Sequence, residues 1–456
     1  MSNKAKTITK ISVLGIIGLF CTDFLYMADL GFYPSFGALM EEFYTPEPDN
    51  MGILNFAMTG SQLAAMIASF AVIPLMRRFN KKALLLVETA IFGVFALCTP
   101  LVDNIVWVAT MRTCSGFGFG GLLTVGIALI QQVYRSNPKR RDSLVGLFNG
   151  MLGAGGAVNS LIGGFLAAIS WDMVYNIYWI AVPVFLLILF FVPKTPADRD
   201  DEAAVAEQAE LEKAKEADEK SSGGWNGTFP KVFAAMLAYC FVNIVYLAMG
   251  SGQISLYIPE LGLGGAAEAG ICTMASSISA ILCGLIFAPL YHKMKRFMPV
   301  FFYAAMVISL IIYSMQPGSL FVLGLGFFIA AFGYAFGLSY YMVYVSETAP
   351  LTKSSTAIAM ITIGMTLGAF LSPYVVTALQ SILACPVVDP EMGSLALAPI
   401  YPVLLVAIII AFVLSLILAI RSKKRGEVYG AAEPEQQVAE SVEDTQQAVE
   451  SAEDAQ

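Results

Sequence analysis

The sequence predicts an all-α membrane protein made of two six-helix transmembrane bundles related by a pseudo-two-fold axis. Three observations predict it. The 456-residue chain divides into twelve apolar stretches, most near the ~20 residues that cross a bilayer as a helix. If the first stretch runs outward from the cytoplasm, 25 of the 26 Lys and Arg residues fall on the inner side. The two halves of the chain also carry similar residues in the same order. A closed β-barrel needs alternating strands of ~10 residues, which the continuous apolar runs exclude.

Taken in order, the spans fall at 11–33, 52–75, 83–101, 105–131, 143–169, 174–192, 231–258, 266–290, 297–315, 319–345, 354–380 and 399–420. Lys4, Lys6 and Lys10 precede span 1, and Arg77, Arg78, Lys81 and Lys82 join spans 2 and 3. Arg135 and Lys139 to Arg141 join spans 4 and 5, and Lys194 to Lys231 occupy the middle connection. Lys293, Lys295 and Arg296 follow span 8, Lys353 follows span 10, and Arg421 to Arg425 follow span 12. The opposite loops carry acids such as Glu41, Glu42, Asp103, Glu260 and Asp389, and no base. This asymmetry orients a twelve-span chain with both termini in the cytoplasm. The expected setting is a bacterial inner (plasma) membrane, with span 1 kept as an uncleaved anchor.

Four segments follow: an N-terminal bundle at 11–192, a partly helical cytoplasmic linker at 193–230, a C-terminal bundle at 231–420 and an acidic tail at 421–456. Within the linker, Glu210–Lys213, Glu212–Lys215 and Glu216–Lys220 stand at helical spacing. Beyond Arg425 the chain has nine acids and no base, which predicts disorder.

Composition removes several classes of function. With 57% hydrophobic and 13% charged residues and a mean hydropathy of +0.71, the chain is not a soluble globular protein. The net charge of −8 comes with no basic stripe, so nucleic acid is not a partner. Six of the seven cysteines lie in apolar spans, Cys385 lies on an outer loop, and none has metal-ligand spacing. There is no Ser/His or Cys/His pairing, no H-E-x-x-H and no phosphate loop, so neither an enzyme nor a bound cofactor is expected. The lipid bilayer is the obligatory partner, and the expected state is monomeric.

The repeat shows in three places. Around the 4–5 and 10–11 connections, Pro138 aligns with Pro350, Arg141 with Lys353, Ser143 with Ser355, Gly156 with Gly368 and Ser160 with Ser372. In spans 1 and 7, Tyr26 aligns with Tyr246 and Ala28 with Ala248; Pro74 and Pro289 each precede a basic run. Two parallel six-helix repeats about an axis along the membrane normal are one known transporter plan.

With these features the chain resembles the major facilitator superfamily over roughly 11–420. Arg112, Gly116, Gly118 and Gly120 in span 4 are similar to the family's Arg-x-x-x-Gly-x-Gly pattern, with Ser115 where Gln is common. Met76 to Lys82 is similar to its cytoplasmic gating loop, without the usual Gly and Asp. Asn159 to Gly164 stands where drug antiporters show Gly-Pro before a glycine pair, without the Pro. The resemblance implies alternating access, a central cavity lined by spans 1, 4, 7 and 10, and a role for Arg112 in proton-coupled transport. It places Arg77, Arg78, Lys293, Arg296 and Glu347 at the gating loops.

An ionisable group in mid-membrane costs about 2.5–3.5 kcal/mol on insertion scales, so each asks for a partner or a function. Asp23 sits near the midplane, about 18 Å into span 1. It is the expected proton carrier. Asp29 lies nearer the outer face, at the depth of Arg112 in the oppositely directed span 4. The guanidinium fork suits a carboxylate, so Arg112 is expected to pair with Asp29 in one state and to free itself for an anionic solute in another. A permanent pair holding two helices is the alternative. Asp23 and Asp29 stand ~120° apart on a regular helix, so they do not share a face. Glu88 is expected to reach the inner surface along its own stem.

Tyr26, Asn243, Tyr246 and Tyr340 are the candidate cavity liners beside Arg112 and Asp29, because tyrosines clamp a flat ligand and donate a hydrogen bond. Tyr33, Tyr175, Tyr178, Tyr257 and Trp179 fit an interfacial belt. The glycine faces at Gly116–Gly121 and Gly150–Gly156 permit close helix approach. The expected function is a secondary transporter, coupled to H+, for a small organic solute with an anion favoured. The alternative is a proton-driven efflux antiporter for amphipathic compounds. A membrane-embedded enzyme or sensor fits least.

Overall fold

The structure is a computed structural model. It describes residues 11–44, 50–135, 137–197, 199, 201, 225–250, 252–294, 297–349, 353–389 and 394–425. The charged core of the linker and the acidic tail lie outside the described residues.

Among the described residues twelve apolar helices dominate: α1 Val13–Tyr26, α2 Met51–Arg78, α3 Lys81–Cys98, α4 Ile105–Val133, α5 Pro138–Ala167 and α6 Ala181–Phe191 in the first half. The second half holds α7 Trp225–Met249, α8 Ala266–Met294, α9 Met298–Ser314, α10 Leu320–Thr348, α11 Ser354–Ile382 and α12 Ile400–Arg425. Eleven of the resulting apolar segments are long enough to cross a membrane, and the twelfth, α9, has 17 residues. Pro299 sits in the first turn of α9; Gln316, in the left-handed region at φ 48°, follows its end.

The first span of each half is not one regular helix. After α1 the backbone tightens into 3₁₀ turns at Met27–Gly31 and Tyr33–Ser35, then resumes as a helix at Phe36–Phe43. Gly31 and Pro34 fall within this break. In span 7, α7 ends at Met249 and a second helix follows at Ile254–Glu260. Span 6 likewise enters through a 3₁₀ stretch, Met173–Ile180, ahead of α6.

Two buried clusters form the cores, one drawing on Ile11 to Val192 and the other on Val232 to Ile408. Each half repeats the same neighbours: α2 on α4 and α8 on α10, α3 on α4 and α9 on α10, α1 on α5 and α7 on α11. The repeat extends to a carbonyl acceptor, with donors one position apart in the two halves. Asn159 donates to the Phe24 carbonyl (2.9 Å), and Ser372 donates to the Ile244 carbonyl (3.0 Å), the equivalent position in the second half. Burial runs against apolarity, as a lipid solvent requires. The most apolar span, α12, is the least buried, and α4, which carries Arg112, is the most buried.

The halves meet where α5 crosses α8 and α2 crosses α11. At the end of the bundle bearing the acidic loops, Gly164 and Gly270 let α5 and α8 touch backbone to backbone: a Cβ on Gly164 would lie 2.7 Å from the Gly270 Cα. Further along, Gly153 meets Ile281, while toward the basic end Gly150 and Gly284 face open space. The halves are therefore closed at the acidic end and splayed at the basic end.

A two-stranded antiparallel ribbon, β1 Val387–Asp389 with β2 Ser394–Leu395, covers the acidic end of the second half. Glu260 fastens it, outside the spans, by accepting from the backbone N–H groups of Leu397 (2.8 Å) and Ala398 (3.0 Å) just ahead of α12. Burial pushes the Glu260 carboxyl up, and these two donors pull it part of the way back. A group whose folded value is raised contributes stability at low pH and loses it as pH rises through the folded value. The melting temperature of the wild type, taken relative to Glu260→Gln, should therefore fall over the pH range above the ordinary glutamate value of about 4.3. A constant difference across that range contradicts this account.

Candidate functional site

Arg112 lies at the heart of the first half, 1% exposed. Its Nη2 donates to Asp29 Oδ1 at 2.8 Å, its Nε donates to the Ala57 carbonyl at 2.7 Å, and its guanidinium carbon stands 3.5 Å above the Phe32 ring. Tyr175 and Tyr178 complete the enclosure, stacked on each other at 5.9 Å. The second oxygen of Asp29 accepts from Gln62 Nε2 at 3.2 Å. Four spans thus converge on one cation, and the hydrogen-bonding fork is occupied.

Tyr175 and Tyr178 are not interfacial belt residues here, unlike Trp179, which is 59% exposed. The 3₁₀ turn explains the correction: with three residues per turn, positions 175 and 178 eclipse and face inward together. Gln62 is another participant that sequence reasoning missed; its only signal was being one of two amides, with Asn55, in an apolar span.

Asp23 is fully buried, and among the described residues neither carboxyl oxygen has a hydrogen-bond partner. The 3₁₀ turn after Tyr26 also alters its relation to Asp29. Three helical steps of ~100° and three 3₁₀ steps of ~120° leave the two acids about 60° apart, not the 120° of a regular helix. Tyr26, midway between them, lies within electrostatic reach of both, and of Tyr334 across the seam.

At the position equivalent to Asp23 in the second half stands Asn243, on the offset that aligns Tyr26 with Tyr246. Its amide donates to the Met365 carbonyl, clasping α7 to α11. The structure therefore makes Asn243 a helix clasp, 1% exposed, and not a wall of the seam.

Between the halves the walls are aromatic. Tyr26 meets Phe119 edge to face at 5.2 Å, and Tyr246 stacks on Tyr334 at 4.3 Å and on Phe327 at 5.6 Å. Tyr340 is elsewhere. It packs against Tyr341, Tyr344 and Phe302 and borders a pocket on the flank of the second half. Six helical positions separate Tyr334 from Tyr340, a rotation of ~120°, which turns it away from the seam.

At the acidic end the seam is shut by Gly37 N–H donating to Ser255 Oγ (3.2 Å), Asn55 Nδ2 donating to Thr377 Oγ1 (3.2 Å) and Phe56 against Phe370. Beneath them remains a cavity of about 20 Å³, lined by Gln62, Thr59, Gln253 and Ser372 among others, room for one water molecule. Gln62 joins this inter-half cavity to Asp29.

At the basic end, Arg77 and Arg78 are exposed on the last turn of α2, and Lys293 is exposed near the end of α8. Arg296 lies outside the described residues. Glu347, exposed at the end of α10, accepts from the Tyr291 hydroxyl of α8 at 3.4 Å. Glu88 does not reach the surface: its oxygens are buried without a partner among the described residues, filling the space that Gly121 leaves on α4. Among the described residues no group of His, Cys, Asp and Glu could hold a metal ion.

Paired six-helix bundles meeting at a seam are one known plan of membrane transporters. The chain belongs to the Major Facilitator Superfamily, whose pattern it matches over residues 16–373. It is similar in fold to the nucleoside transporter NupG (TM-score 0.66, 12% identity, covering 89% of this chain and 98% of that one). It is likewise similar to a D-xylose-proton symporter (TM-score 0.60, 15% identity, covering 88% and 97%). In sequence it is 28% identical to efflux pump dotC of Dothistroma septosporum over 127 residues, 26% of this chain. The chain spans about a fifth of the length of the curated relatives it matches.

Proposed function

We propose that this protein is a proton-coupled secondary transporter that moves a small organic solute by alternating access, as a monomer in a bacterial plasma membrane. Its basic end faces the cytoplasm, so the geometry described is the inward-open state. One observation carries the reading: a carboxyl buried in mid-span without a partner, at Asp23. Such a group takes or gives a proton each time the seam changes the side from which water reaches it. The second half supplies the comparison. At the equivalent site the amide of Asn243 donates to the Met365 carbonyl, whereas Asp23 has no hydrogen-bond partner among the described residues.

The solute sits between Tyr26 and the Tyr246–Tyr334 stack, whose faces suit a flat or amphipathic molecule. An anionic group would have to displace Asp29 from Arg112, so the inward-open state offers it no free cation there. The second reading, a proton-driven efflux antiporter, draws support from the segment similar to an efflux pump. Substrate-dependent pH change in energised vesicles tests both. Proton uptake in the direction of the solute marks a symporter, counter-movement marks an antiporter, and no proton movement with any transported solute removes the coupling.

A further inference from the structure

In the first half, α1 and α6 close on each other because Gly15 and Gly18 leave room: a Cβ on Gly15 would lie 2.5 Å from the Phe191 carbonyl, and one on Gly18 3.0 Å from Leu187. At the offset that aligns Tyr26 with Tyr246, these glycines become Ala235 and Ala238 on α7. The second half does not close in the same way. There α7 packs on α10 and α11, α12 packs on α9, and a groove of about 490 Å³ remains between α7 and α12. Its floor carries the hydroxyls of Tyr303 and Tyr341, 3.2 Å apart, and its walls are methyl-rich, with Ala235 and Ala238 facing Leu414 and Leu418.

Among the described residues, charge marks one end only. Lys231 borders the groove at the basic end of α7, and Arg421, exposed on α12, follows Leu418 by three residues. An apolar slot opening sideways from a bundle, with cations confined to its interfacial mouth, fits one occupant: a phospholipid with an acyl chain in the slot and an anionic headgroup at the mouth. We propose that the α7–α12 groove is a binding site for one anionic phospholipid of the leaflet at the basic end. Bound there, the lipid takes the place in the second half that direct helix contact fills in the first.

Native mass spectrometry of the full-length protein with phosphatidylglycerol or phosphatidylethanolamine tests the site. The wild type should retain one phosphatidylglycerol in preference to phosphatidylethanolamine. With each basic side chain near the surface contributing on the order of 1 kcal/mol, Lys231→Gln should weaken phosphatidylglycerol retention about fivefold and leave phosphatidylethanolamine unchanged. Ala238→Leu, which fills the slot, should reduce retention of both. Equal retention of the two headgroups by the wild type, or unchanged phosphatidylglycerol retention in Lys231→Gln, overturns the proposal. The charge variant lies at the surface, so the test stands even if the slot-filling variant does not fold.

Discussion

Asp23→Asn protein should bind and exchange its solute but fail to accumulate it. The replacement is nearly isosteric, and the molecule already holds an asparagine at the equivalent point, Asn243, hydrogen-bonded across to α11. An amide at position 23 therefore copies the protonated carboxyl and freezes it. Exchange needs only the seam and survives; accumulation needs a proton released on one side and regained on the other. One charge moving through 100 mV supplies about 2.3 kcal/mol, roughly a fiftyfold gradient, and the variant should bring this ratio to about one. Vesicles loaded with labelled solute separate the two activities. A variant that still accumulates solute under a proton gradient removes Asp23 from the coupling.

Arg112→Ala should cost the fold more than any surface change. Removing one partner of a buried ion pair leaves the other charge enclosed without compensation, at about 3–5 kcal/mol. Asp29 would keep only the Gln62 amide, and the cation–π contact with Phe32 would be lost as well. Arg112→Lys should fall between, because a point charge cannot reach both Asp29 and the Ala57 carbonyl as the fork does. Adding Asp29→Asn to Arg112→Ala should recover much of the loss, since the stranded charge is gone. Melting of the detergent-purified proteins measures all four. A melting temperature for Arg112→Ala equal to that of wild type would show that the pair holds nothing.

The helical plan was legible because bilayer crossing is an average property: about 20 apolar residues register whatever their order. Cation placement likewise sums over whole loops. What a window average cannot register is a local break. The 3₁₀ turns after Tyr26 hang on Gly31 and Pro34, the gap after Met249 on Gly250 and Gly252, and both lie inside stretches that look uniformly apolar. These breaks aim the site. Depth counting put Asp29 level with Arg112, and the two are 2.8 Å apart, but the same regular-helix arithmetic set Asp23 and Asp29 too far apart in angle. It also missed Tyr175 and Tyr178, whose pairing exists only in a three-residue turn. Glu88 was misjudged for a different reason: its space is made by an absent side chain, Gly121, on another helix.

In the proposed cycle of alternating access the two halves rock about the glycine crossing of α5 and α8. Gly150 and Gly284 face open space at the splayed end, where a Cβ meets nothing within 4 Å, so they are the sites for spin labels on Cys in a background freed of the seven native cysteines. The distance between them is the most direct measurement. The account predicts a long distance that gives way to a second, shorter population when pH and transported solute are changed. A single distribution that stays fixed under every such condition would contradict it.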